Sequence, residues 1–134
     1  MAVLMELSRI LICELQDLQV IELKEVDGDR KFPILIGLAE AEAIKRRLQG
    51  APMKRPLTHE LLANIIEVFG AKLESIIIND LSDHTFFAKL RILRGDGELI
   101  EVDSRPSDAI ALGIAGGLPI YVEEHVLQGA QNET

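Results

Sequence analysis

Seven segments of the chain carry the apolar patterns that are typical of β-strands. Most of them place an apolar residue at every second position, as Val3, Met5 and Leu7 do, and the third is a nearly continuous apolar run. A strong hairpin signal, Asp27-Gly28, lies between the second and third segments. The predicted strands are residues 3–12, 20–26, 32–36, 72–78, 85–93, 98–103 and 119–123.

Two segments show the spacing of amphipathic helices. Residues 39–48 are predicted to bury Ala41, Ile44 and Leu48. The next helix has Thr58 as a good N-cap and Gly70 as its stop. Its apolar stripe is predicted to face the core and consists of Leu61, Leu62, Ile65, Ile66 and Phe69.

A third helix follows an unusually polar stretch. Pro106 suits a first helical turn and pushes Arg105 away from helical dihedrals, so Arg105 is predicted as the N-cap and Asp108 as the third helical residue. Residues 109–116 contain no polar side chain, which indicates a helix that is buried nearly all round.

These elements predict a single α+β domain with a mixed or antiparallel β-sheet and about three helices. Three strands and a helix occur twice, and the helices open with Glu42-Ala43-Ile44 and Asp108-Ala109-Ile110, so a βββα duplication is a possible origin. The domain is expected to span residues 1–128, followed by a frayed tail at 129–134.

Composition narrows the class of protein. A chain of 134 residues is one domain by size, and no apolar run is long enough to span a membrane. The chain has no secretory signal pattern and its single cysteine, Cys13, excludes an internal disulfide, so a cytoplasmic protein is expected. The net charge of −8 disfavours nucleic-acid binding, except along a basic segment that lacks acids and contains Lys45, Arg46, Arg47, Lys54 and Arg55.

The polar stretch from Asp103 to Asp108 has two interpretations. In the structural interpretation, Asp108 caps its helix, Arg105 is a neighbour of that cap, and Asp103 ends a strand. In the functional interpretation, the same carboxylates and guanidinium form a polar cluster at the N-terminus of a buried helix, where ligands commonly bind.

Several separated stretches resemble the bifunctional nuclease family. The run Asp103-Ser104-Arg105-Pro106-Ser107-Asp108-Ala109-Ile110-Ala111-Leu112 is similar to the signature of that family, and the resemblance extends from about residue 4 to residue 128. Mild departures are Glu60, where an aspartate is common, and a glycine-rich segment at 113–117. The other matching stretches, in order, are residues 33–37, 40–44, 55–61, 85–88 and 119–122.

The resemblance implies cleavage of both DNA and RNA, and the residues suggest how each group would contribute. Asp103 and Asp108, with Glu40 or Glu42 as a third ligand, would hold Mg²⁺ or Mn²⁺, which supply an activated water and a charge clamp. Arg105 and Ser107 would bind phosphate, and His59 would act as the general base. Arg55 and the other basic residues of the 45–55 segment would bind the substrate.

Two functions are therefore left open by the sequence. The first is a nuclease that acts on DNA and RNA and assembles as a homo-oligomer. The alternative is a non-catalytic module that binds an anion or organises subunits through its Arg-Pro corners. No zinc-protease, thiol-redox, P-loop or serine-hydrolase motif occurs in the sequence.

Overall fold

A computed structural model describes residues 1–13, 15–50 and 52–133. The strands are β1 (Ala2–Leu11), β2 (Leu18–Glu25), β3 (Lys31–Gly37), β4 (Lys72–Ser82), β5 (Thr85–Leu93), β6 (Leu99–Ser104) and β7 (Ile120–Glu123). The helices are α1 (Leu38–Gln49), α2 (Thr58–Val68), α3 (Pro106–Ile114) and α4 (Glu124–Glu133). The predicted α+β class with a mixed sheet is confirmed, with one helix more than expected.

All seven strands form one sheet in the order β3-β2-β1-β7-β4-β5-β6. Each of the runs β1-β2-β3 and β4-β5-β6 is an antiparallel meander, and β7 joins them by pairing antiparallel with β1 and parallel with β4. A helix follows each meander, α1 after β3 and α3 after β6, so the element order matches the predicted βββα repeat.

The sheet curls around its own core. Strands β3 and β5 have four strands between them, yet the rings of Phe32 and Phe86 stack with their centroids 5.4 Å apart. Helices α1, α3 and α4 pack on the inner face, where Ile21, Ile76 and Ile110 are fully buried. The curled sheet brings the N-termini of α1 and α3 close together, which positions the site described below.

Helix α3 begins where the sequence predicts and ends at Ile114, two residues before the end of the predicted apolar run. Arg105 is its N-cap, Pro106 is its first residue, and the residues from Ala109 to Gly113 are buried on every side. Helix α2 begins at Thr58 with Leu57 as the N-cap, one residue earlier than the predicted cap, because the Glu60 carboxylate accepts the backbone N–H of Leu57 at 3.2 Å.

The predicted burial of α2 is wrong. The side chains of Leu61, Leu62, Ile65 and Phe69 are all exposed to solvent, and His59 is the buried residue of this helix. Leu48 of α1 was also predicted to be buried and is 54 % exposed. Helical spacing identifies residues that share a face but does not say whether that face meets the core.

Helix α4 replaces most of the predicted frayed tail. Residues 129–133 are helical, and Ala130 is only 3 % exposed because α4 packs against β3, β4 and β7. The prediction of a frayed end is therefore wrong for these residues, while residue 134 lies outside the described part. No helix in the described ranges combines the length and the apolar character needed to cross a membrane.

Candidate functional site

The first turns of three helices meet at one place on the protein. Glu40 lies in the first turn of α1, His59 is the second residue of α2, and Asp108 is the third residue of α3. Gly37 permits the position of Glu40, since a Cβ atom at residue 37 would overlap Oε2 of that carboxylate. First helical turns carry unpaired backbone N–H groups and a partial positive charge, so this convergence favours anions.

A continuous chain of hydrogen bonds links these three turns through Arg105. Nε2 of His59 lies 2.9 Å from Oδ1 of Asp108. The other oxygen, Oδ2, accepts a hydrogen bond of 2.9 Å from Nε of Arg105, whose Nη1 donates to Oε1 of Glu40 at 3.2 Å. The sequence singled out all four residues, but the pairing of His59 with Asp108 was not predicted.

Asp108 is held in its ionised form by this arrangement. Partial burial of its carboxyl acts to raise the pKa of Asp108, but the hydrogen bonds from Arg105 and His59 outweigh burial and keep that pKa below its ordinary value. The same contacts raise the pKa of Arg105, chiefly through the hydrogen bond to Asp108. A carboxylate beside a histidine and an arginine therefore persists throughout the neutral pH range.

A second polar network supports the site from behind. Nη1 of Arg47 lies 3.0 Å from Oε2 of Glu60, and the same guanidinium donates to the carbonyl oxygens of Ala111 and Leu112 in α3. Arg46 also approaches Glu60, at 3.9 Å. Burial of Glu60 would raise its pKa, but these two arginines lower it below the ordinary value. The role of Glu60 in joining α1, α2 and α3 was missed by the sequence analysis, since no spacing rule connects it to Arg47.

A groove of about 570 Å³ opens next to Arg105. Apolar residues of β3 and the ring of Phe86 line one part of it, including Pro33, Ile34 and Ile36. The groove is also lined by five polar residues: Glu40, His84, Arg105, Ser107 and Glu133. The groove is large enough for a nucleotide-sized ligand and gives it both an apolar surface and charged partners.

Asp103 does not join this cluster. It pairs with Lys89 in the sheet, whereas the neighbouring positions of β5, Ala88 and Leu90, point into the core beneath α3. Because side chains alternate between the faces of a strand, the Asp103 side chain points away from that core. It forms no hydrogen bond or ion pair with any residue in the described part of the chain. The predicted meeting of Asp103 with Asp108 is therefore wrong.

The basic residues of the 45–55 segment divide into two groups. Lys45, Lys54 and Arg55 are exposed, as the prediction of a docking surface requires. Arg46 and Arg47 instead turn toward Glu60, and the Arg47 side chain is only 10 % exposed. Ser107 is buried as the second residue of α3 and lines the groove beside Arg105.

The described residues do not fit a metal site of the predicted kind. No three histidine, cysteine or carboxylate side chains in the described ranges are grouped so that they could share an ion. The guanidinium of Arg105 lies between Asp108 and Glu40 and already uses one oxygen of each carboxylate. Coordination of a divalent cation by these two residues would therefore compete with their ion pairs to Arg105.

Comparison with known proteins identifies relatives across this region. Residues 21–134 match the model of the bifunctional nuclease domain. Two uncharacterized proteins of Mycobacterium tuberculosis, from strains CDC 1551 and H37Rv, are each 44 % identical to this chain over 115 residues. The aligned region covers 86 % of this chain and 68 % of each relative. The chain therefore belongs to the bifunctional nuclease domain family.

Proposed function

We propose that this chain hydrolyses the phosphodiester bonds of DNA and RNA at the cluster formed by Glu40, His59, Arg105 and Asp108. The observation that carries the proposal is the His59–Asp108 contact of 2.9 Å beside an arginine whose side chain is 64 % exposed. This combination places an oriented base next to a cation that can meet a phosphate.

Arg105 is the phosphate-binding group in this proposal. Its Nε and Nη1 atoms hold Asp108 and Glu40, and its Nη2 group forms no hydrogen bond within the described residues, which leaves a donor for a phosphate oxygen. The unpaired N–H groups at the start of α3 add further donors. Binding of a phosphate to Arg105 competes with Glu40, the more distant of its two carboxylate partners.

His59 is the general base. A carboxylate that accepts the proton of one imidazole nitrogen fixes the tautomer, so the other nitrogen is free to accept a proton. Water then attacks phosphorus while His59 removes its proton, the bond between phosphorus and the leaving sugar oxygen breaks, and solvent protonates that oxygen. This reaction does not use the ribose 2′-hydroxyl, which is why DNA and RNA are both expected substrates.

The groove beside Arg105 gives the adjoining nucleotide a place to bind. Its apolar wall suits a base, and aromatic or apolar surfaces accept every base type without reading sequence. The exposed Lys45 and Lys54 are proposed to attract the backbone, because the remainder of an acidic protein repels it.

The need for Mg²⁺ or Mn²⁺ stays a prediction from the sequence, and no step above depends on it. Glu40 and Asp108 are the described carboxylates nearest to Arg105, but both are engaged with its guanidinium. A specific observation also supports the alternative of a non-catalytic anion-binding or interaction module: every charge in the cluster has a partner within it, as in ion pairs that hold helices together.

The experiment is a nuclease assay of wild type beside Asp108→Asn and His59→Gln, all purified identically to control for contaminating nucleases. Labelled single- and double-stranded DNA and RNA serve as substrates. We expect both variants to lose cleavage by roughly 100-fold or more, the usual contribution of general base catalysis.

The matched control is Asp103→Asn. It makes the same chemical change within the 103–112 signature, at a residue that lies outside the proposed catalytic cluster. It should cleave like wild type. Folded Asp108→Asn and His59→Gln proteins that cut at the wild-type rate would reject the proposed site. Equal losses in Asp103→Asn and Asp108→Asn would instead favour the pairing of aspartates that the sequence suggested.

A further inference from the structure

One side of helix α2 presents an apolar stripe to solvent, and this outer stripe differs from the set of residues that the sequence predicted. Leu57, Leu61, Ile65 and Val68 are 40 %, 49 %, 44 % and 82 % exposed. Their spacing of four, four and three residues aligns them along one side of a helix, opposite the side that buries His59. This is the spacing by which helices pack against other helices, and a contiguous apolar surface of this kind marks a contact site.

We propose that this stripe binds the same stripe of a second copy of the chain, with the two α2 helices antiparallel across a two-fold axis. A two-fold contact places identical surfaces against each other, so it requires a self-complementary patch. The stripe meets this requirement because it contains no charged residue.

Charges at the ends of α2 support a second copy in the antiparallel orientation. Glu67 lies near the helix C-terminus, and the last turn contains no basic residue, the reverse of what the helix dipole favours. Arg55 is exposed just before the N-terminus. An antiparallel pair brings Arg55 of each copy to the acidic end of the other helix, whereas a parallel pair would place like charges together.

The proposed contact has a structural consequence for the site. Within the chain, α2 packs mainly against α3 and β4, and it carries His59 on its inner side. A second helix on its outer side would complete the burial of α2 and hold His59 against Asp108.

Analytical ultracentrifugation of the full chain tests the inference, with the mass compared with 14.8 kDa for one copy. We expect wild type to sediment at twice this mass. Leu61→Glu with Ile65→Glu should raise the dissociation constant by roughly 100-fold, as loss of central interface residues does. Leu15→Glu is the control, because Leu15 is 96 % exposed and lies outside α2, and it should leave the dimer unchanged. Circular dichroism checks that each variant is folded.

A charge exchange separates the antiparallel dimer from other associations. Arg55→Glu should weaken the dimer at low salt, and Arg55→Glu combined with Glu67→Arg should restore it, because the pair is recreated across the interface. A wild-type chain that stays monomeric at its highest soluble concentration overturns the inference. So does a dimer that survives Leu61→Glu with Ile65→Glu, or a charge exchange that fails to restore association.

Discussion

Oδ1 of Asp108 lies 2.9 Å from Nε2 of His59, although 49 positions of the chain separate the two residues. One belongs to the first turn of α3 and the other to the first turn of α2. The contact joins two motifs that the sequence shows as separate. The Asp108 carboxylate bonds the side chains of His59 and Arg105 and does not cap its own helix, and with His59 it forms the pair that we propose to accept a proton from water.

The Asp108 carboxylate should make stability depend on pH in the acid range. Its folded-state pKa is lowered, so its contribution is fully present above the unfolded-state pKa of about 3.9 and is lost as the pH falls through the lower folded-state pKa. We therefore expect the free energy of unfolding to fall less steeply below pH 4 in Asp108→Asn than in wild type. Urea unfolding at several pH values measures this slope. Asp103→Asn should retain the wild-type slope, and identical slopes in all three proteins would contradict the assignment.

Replacing Arg47 should destabilise the fold. Arg47→Ala removes a partner of Glu60 and leaves the carbonyl groups of Ala111 and Leu112 without that donor. Unsatisfied groups of this kind cost about 2–4 kcal/mol in the free energy of unfolding. Lys45 lies two positions earlier and its side chain is exposed, so Lys45→Ala should change the free energy of unfolding by no more than about 0.5 kcal/mol. Urea midpoints that coincide for the two variants would show that Arg47 is not a structural link.

Nucleic-acid binding should depend on Lys45 and Lys54, not on the partly buried Arg47. Exposed lysines that contact phosphates release counterions, so removing both charges with glutamine should flatten the slope of log K against log salt by about 1.8 for duplex DNA, roughly 0.9 per contact. Fluorescence anisotropy across a salt series measures it. Lys72→Gln, on a strand outside the segment, is the control with an expected wild-type slope. An unchanged slope in the double variant would place the binding surface elsewhere.

Chelation tests the metal prediction. The mechanism proposed above uses no metal ion, so it predicts cleavage in excess EDTA, whereas the metal requirement expected from the sequence predicts that EDTA abolishes cleavage. The assay is repeated after dialysis and after return of Mg²⁺ or Mn²⁺. If EDTA abolishes cleavage and either ion restores it, the metal requirement expected from the sequence holds, and Glu40 and Asp108 would be the residues to hold the ion. Asp108→Asn should then require a higher concentration of the ion for the same rate.

The sequence alone determined most of the secondary structure. Alternating or continuous apolar segments predicted seven strands, and Pro106 with the apolar run that begins at Ala109 predicted a buried α3 with Arg105 at its N-cap, as observed. These properties are local, because a strand repeats every two residues and a proline restricts its immediate neighbour. The family was also recognisable from the sequence, since several motifs occur in the expected order.

Tertiary structure alone decided which residues meet. Periodicity placed Leu61 and Ile65 on one side of α2, but only the packing of α2 on α3 and β4 shows that this side faces solvent while His59 faces inward. Asp103 and Asp108 are five positions apart, yet the alternation of strand β6 directs Asp103 away from the core beneath α3. Residues far apart in sequence approach each other when the sheet curls, and neighbours separate when a strand turns into a helix. Spacing along the chain therefore could not identify His59, rather than Asp103, as the partner of Asp108.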